Sequence, residues 1–120
     1  MDDGRSAEIA RQLISHREAG QSVSPDHWLD TPDGIAAALA VQDAVAVILA
    51  EEKGAVPIGY KIGATNQVAR ETLGVAEPFR GRLFDLSTSE SGAPVRRKPA
   101  FQVWEVEIAV RLGMDLDART

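Results

Sequence analysis

Residues 34–50, GIAAALAVQDAVAVILA, are apolar except for Gln42 and Asp43. A segment of this kind dictates much of what the chain can become, because such a surface has to be covered by other structure. Ile35, Leu39, Ala46 and Leu49 fall on one helical stripe, with Ala38, Val41, Val45 and Ile48 beside it. The many alanines let another helix or a sheet approach closely. Thr31-Pro32-Asp33 supplies a cap, a proline suited to the first turn and an acid for the positive helix end, and Gly54 supplies a stop. The sequence therefore predicts a helix over Pro32 to Lys53. Its polar middle argues against a membrane span.

Ahead of it, Ile9, Leu13 and Ile14 have helical spacing. Ser6 is the expected cap and Gly20 the expected stop of a shorter amphipathic helix. The intervening loop QSVSPDHWLDTPDG carries Trp28 as a candidate packing residue. After Gly54 the pattern changes period. VPIGYKIGAT alternates as a strand, with Ile58, Tyr60 and Ile62 on one face and Gly59, Lys61 and Gly63 on the other. Thr65 is placed to cap a short helix ending at Gly74, EPFRGRLFDL reads as a turn and a brief strand, and residues 101–112 read as a last strand. At 120 residues the chain is expected to form one α/β (α+β) domain. Residues 1–54 are its helical part, and residues 55–120 begin a mixed sheet.

Composition narrows the function classes. A formal charge of −5 disfavours nucleic acid as a partner, and the short basic cluster Arg96, Arg97 and Lys98 reads as a solvated turn. With no cysteine, disulfides, zinc thiolates and a thiol nucleophile are excluded. The opening MDDGRS has no apolar core of a secretory signal, so a cytoplasmic location without membrane attachment is expected. His16 and His27 read as surface residues. Ser87, Ser89 and Ser91 lack the glycine pattern of a nucleophile elbow.

Chemistry concentrates in AFQVWEVEIAV, residues 100–110. The β-branched and aromatic residues select a strand, on which Glu105 and Glu107 share a face about 6.6 Å apart at the backbone. Trp104, Val106, Ile108 and Val110 form the opposite face, expected to be buried. Two carboxylates so close repel, and water, a bound cation or a Lys or Arg partner must offset that. A hard divalent ion such as Mg²⁺ takes oxygen ligands of this kind. An exposed strand face shows the same E-x-E pattern, so the pair alone fits both readings. Lys61, bracketed by Gly59 and Gly63, suggests a small cavity holding one ammonium. Partial desolvation there would lower its pKa and suit it to proton transfer or to an anionic substrate.

Taken together, ALAVQ (38–42), GYKIGAT (59–65), LGVAEPFRGRLFD (73–85) and WEVEIAVRLGMDL (104–116) resemble the 2-keto-4-pentenoate hydratase family. That family includes the 4-oxalocrotonate decarboxylases, within the fumarylacetoacetase-like superfamily. The resemblance implies a cytoplasmic lyase of aromatic-compound catabolism that binds Mg²⁺ or Mn²⁺ through Glu105 and Glu107. It implies Lys61 as the proton-transfer or carboxylate-holding residue and, more weakly, Asp85 as a substrate contact. The reaction implied is addition of water to a 2-hydroxy-2,4-dienoate to give a 4-hydroxy-2-oxo acid. A 4-oxalocrotonate-type decarboxylase and a non-catalytic binding module are the alternatives.

The pattern also departs from the family. Ala38-Leu39 stands where Ala-Tyr is common, and Asp85 is offset by one residue. The family's third metal carboxylate lies beyond the residues matched here. Asp115 and Asp117 read as turn acids and do not replace it. The expectation is thus the N-terminal portion of such a fold, completed by further chain, by a second copy or by a partner subunit.

Overall fold

The computed structural model describes residues 3–23, 34–95 and 104–114. Its elements are α1 (Asp3–Ala19), α2 (Gly34–Lys53), β1 (Pro57–Gly63), α3 (Gln67–Leu73) and β2 (Phe79–Phe84), followed by a 3₁₀ turn at Asp85–Ser87. The architecture is α+β. Instead of a mixed sheet, the described residues form one antiparallel pair, β1 with β2. The start signal Thr31-Pro32-Asp33, His27, Trp28, the basic cluster 96–98, and Asp115 and Asp117 lie outside the described residues.

The core sits between α1 and α2. Ile9, Ala10, Val41 and Ile48 are buried together, with Leu13, Ile14, Ala44 and Val45 packed around them. Full burial of an isoleucine stabilises a fold by about 1.5–3 kcal/mol, so Ile9 and Ile48 carry much of this contact. The expected stripe is rotated. Ile35 is 40% exposed, while Ala37, Val41 and Ile48 are buried on the side of α2 where Val41 and Ile48 meet α1, and Ala46, a member of the expected stripe, is buried on the opposite side.

Ser6 does not cap α1, which starts three residues earlier at Asp3. One turn inside the helix, Ser6 lies on the same side as Ile9 and Ala10 and is only 3% exposed, its hydroxyl without a hydrogen-bond partner among the described residues. At the far ends of the two helices, Glu18 pairs with Lys53.

By length and composition α2 is apolar enough to cross a membrane, with a mean hydropathy of 1.7 over its most apolar window. Its two polar central residues are committed to the hairpin. Gln42 Nε2 donates to the Arg80 carbonyl at 2.9 Å, and Asp43 pairs with Arg82 at 3.2 Å. At the base of the hairpin, Asp85 Oδ1 accepts from the Val56 and Leu86 amides at 2.8 Å each.

In the hairpin, Tyr60 faces Arg82, Lys61 faces Gly81 and Gly63 faces Phe79. Ile58, Tyr60 and Ile62 point outward, 52–62% exposed. Arg80 and Arg82 lie 5.6 and 5.5 Å from the Tyr60 ring centre and screen it as cation–π partners. Between the strands, α3 is capped by Asn66, one residue after the expected Thr65, through a bond from the Ala69 amide to Asn66 Oδ1. Gly74, with φ of 67°, ends it in the left-handed conformation that glycine adopts without steric cost.

The last strand is corrected. Residues 101–103 lie outside the described residues, and residues 104–112 have no ladder partner among them. The side chains expected to be buried are open, Trp104 at 75%, Val106 at 101%, Ile108 at 96% and Val110 at 80% exposure. An alternating apolar row is buried only where another layer covers it, and the described residues provide no such layer.

Candidate functional site

Lys61 projects from the middle of β1 on the row of Gly59 and Gly63, opposite Gly81. No side chain flanks it on its own strand or at its cross-strand position. Residues 104–110 pass in front of it and bring both glutamates to its ammonium. Lys61 Nζ donates to Glu105 Oε2 at 2.7 Å and lies 2.9 Å from Glu107 Oε1. The sequence expectation that the two glutamates point the same way is met without a regular strand.

This arrangement settles one electrostatic question and reverses another. The offset to the repulsion between the carboxylates is a lysine of the same chain. Hydrogen bonds donated to Glu105 and then to Glu107 raise the Lys61 pKa above its ordinary 10.5, and outweigh the opposing desolvation. The expected lowering does not occur, because two anions hold the ammonium and its side chain remains 42% exposed. The same bond to Lys61 lowers the Glu105 pKa below 4.5.

The small cavity expected between the glycines is also corrected. A Cβ on Gly63 would meet the Phe79 ring at 2.9 Å, so that space is filled by the aromatic side chain facing it across the hairpin. Gly59 has only an ordinary contact of 3.9 Å to Leu83. Immediately after Gly63, Ala64 is buried and has a φ of 56°. This conformation is costly for a residue with a side chain. Arg70 donates to the Ala64 carbonyl at 3.1 Å and helps hold that corner.

Asp85 is not brought to the site. It follows β2 at the end where Phe84 pairs with Pro57, about 13 Å along the strand from Gly81 at a rise of about 3.3 Å per residue. Its Oδ1 is occupied by the two backbone amides described above. The contacts that position the site and that sequence reasoning missed are Asn66 on α3, Arg70 on Ala64, and Gln42 with Asp43 on β2. Of these, Asn66 had a readable signal, a side-chain acceptor three residues before the amide it caps. A shallow cavity of about 450 Å³ between α1 and α2 is lined by Ser6, Arg11, Asp43 and Glu51 among others, and by none of the three site residues.

The oxygens of Glu105 and Glu107 converge on one point, now filled by an ammonium. Mg²⁺ takes oxygen ligands and keeps several waters, so one or two carboxylates from the protein would be enough to hold it. The donor chemistry fits, as two hard anionic ligands of a partly hydrated ion. Among the described residues no group of three or more His, Asp or Glu side chains is assembled for a metal. Comparison with known proteins adds nothing further, since no family model, no curated protein and no solved structure matches the chain.

Proposed function

We propose that the chain carries part of the active site of a metal-dependent hydratase of the 2-keto-4-pentenoate type. The observation that supports this reading most is the convergence of Glu105 and Glu107 on Lys61. A lysine and two carboxylates, 44 residues apart in sequence for Lys61 and Glu105, come together, and they are the residues to which the motif resemblance gives the chemistry. Mg²⁺ or Mn²⁺ is the implied cofactor, and when bound it supplies Lewis-acid polarisation of a 2-oxo or enol oxygen. Glu105 and Glu107 hold that ion. Lys61 balances the substrate carboxylate or moves a proton at the dienoate carbon skeleton. Asp85 has a hairpin-pinning role in this reading and no contact with substrate. The fold is read as the start of a fumarylacetoacetase-like domain in a cytoplasmic lyase, either a homo-oligomer or paired with a partner subunit.

A second reading, a non-catalytic module that binds a small acid or a partner, is favoured by one observation. Lys61 already neutralises part of the glutamate pair, and the described residues offer no third metal carboxylate. Product assay separates the possibilities. The chain alone is expected to be inactive or nearly so. Completed by the further chain or partner subunit that supplies the missing ligand, it is expected to convert a 2-hydroxy-2,4-dienoate with Mg²⁺ into a 4-hydroxy-2-oxo acid, with loss of the dienoate absorbance, and the Glu105→Gln variant is expected to abolish this. Release of CO₂ from 4-oxalocrotonate would favour the decarboxylase. Neither product from the completed assembly at any metal concentration would favour the binding module.

A further inference from the structure

We infer that Lys61 is a built-in competitor for the cation seat: its ammonium holds Glu105 and Glu107 together when no divalent ion is bound, and is displaced intact when one binds. This inference rests on the reading that the pair receives such an ion. Its geometry is independent of that reading. Nζ contacts one oxygen of each carboxylate, at 2.7 and 2.9 Å, which is the bridging position a shared cation would take. One ammonium between two carboxylates leaves the cluster with a net negative charge, so it still attracts a doubly charged ion. Among the described residues no other cation pairs with either glutamate.

The lysine is also free to leave. On its face of the hairpin its nearest positions are Gly59 and Gly63 along β1 and Gly81 across on β2. On this face of the hairpin only Phe79 and Leu83, reaching over Gly63 and Gly59, border the lysine. Its side chain is 42% exposed, and a flexible four-carbon stem can swing the ammonium aside into solvent. Displacement involves no bond making or proton loss. The ammonium exchanges two carboxylate partners for water or for the anionic group of a ligand held on the ion. Ion loading would thereby release a cation beside the ligand at the moment it is needed there, and the ion-free chain would keep it masked.

The test is Mn²⁺ titration by calorimetry of the intact chain and of Lys61→Met, together with amine acetylation of the wild type followed by peptide mass spectrometry. The variant is expected to bind Mn²⁺ about tenfold tighter, the scale set by two exposed ion pairs. Saturating Mn²⁺ is expected to speed acetylation of Lys61 and to leave Lys53, paired with Glu18, as it was. Mn²⁺ binding by the wild type with equal or weaker binding by Lys61→Met, or with Lys61 labelling unchanged, overturns the displacement and leaves the cation seat standing. No Mn²⁺ binding by either protein overturns both. The labelling arm uses only the wild type, so it decides even if the variant does not fold.

Discussion

Lys61 Nζ lies 2.7 Å from Glu105 Oε2 and 2.9 Å from Glu107 Oε1, and this one ammonium joins residues 104–110 to the antiparallel pair of β1 and β2. The contact is half-exposed on all three side chains, so salt screens it. Its contribution to stability also has a pH window. The Glu105 pKa is lowered by Lys61, so its part is present above the ordinary carboxylate value and is lost as pH falls through the lowered one. The Lys61 pKa is raised by the two glutamates, so its part is present below 10.5 and is lost as pH rises through the raised value. The melting-temperature difference between wild type and Glu105→Gln is therefore expected to be largest near neutrality, and to vanish at both extremes and in molar salt. A difference that stays constant with pH contradicts the clamp.

Gly63→Ala puts a methyl group 2.9 Å from the Phe79 ring. The Phe79 ring, 38% exposed, must turn aside, so the cost is expected at or below the low end of the about 1–3 kcal/mol seen for overpacked cores, and chemical denaturation should show that loss. Gly59→Ala, whose added methyl meets Leu83 at an ordinary 3.9 Å, is expected to cost less. Equal costs would mean that Phe79 does not occupy the space beside Lys61.

Asn66→Ala removes the acceptor of the Ala69 amide and is expected to destabilise by about 1 kcal/mol, the usual value of an N-cap. Thr65→Ala should do little by comparison. The same denaturation series distinguishes them, and the reverse order would move the cap back to Thr65.

The alternation and turn residues of 55–85 were sufficient to locate β1, α3 and β2, because each is delimited locally by a glycine, a proline or a cap. The cap itself slipped by one residue, since Thr65 and Asn66 are both competent acceptors. Residues 104–112 defeated the same reasoning. Their alternation specifies two faces, but whether Val106 or Ile108 is buried depends on a covering layer that no local pattern encodes. The common direction of Glu105 and Glu107 was legible from their spacing. Their partner was legible only as one of several options, because the approach of Lys61 is a tertiary contact across 44 residues. For the same reason the lysine pKa was expected to move the wrong way. Glycine neighbours suggested burial, whereas the carboxylates that decide the sign come from elsewhere in the chain.

Asp85 pins the base of the hairpin through the Val56 and Leu86 amides. Replacing it with alanine removes both bonds and is expected to cost about 0.5–1.5 kcal/mol for each. Any response to Mg²⁺ or Mn²⁺ should survive unchanged. Thermal melts with and without metal check both parts, and a metal response lost in Asp85→Ala would return this residue to the site.

The most direct measurement is the melting temperature of the chain against Mn²⁺ concentration, compared with the Glu105→Gln, Glu107→Gln double variant. A ligand that binds only the folded state stabilises it by about 2.7 kcal/mol at a hundred times its dissociation constant. The account predicts a saturable rise in the wild type that is absent from the double variant. A wild type indifferent to Mn²⁺, or a double variant that rises equally, would contradict the assignment of these two glutamates as a cation seat.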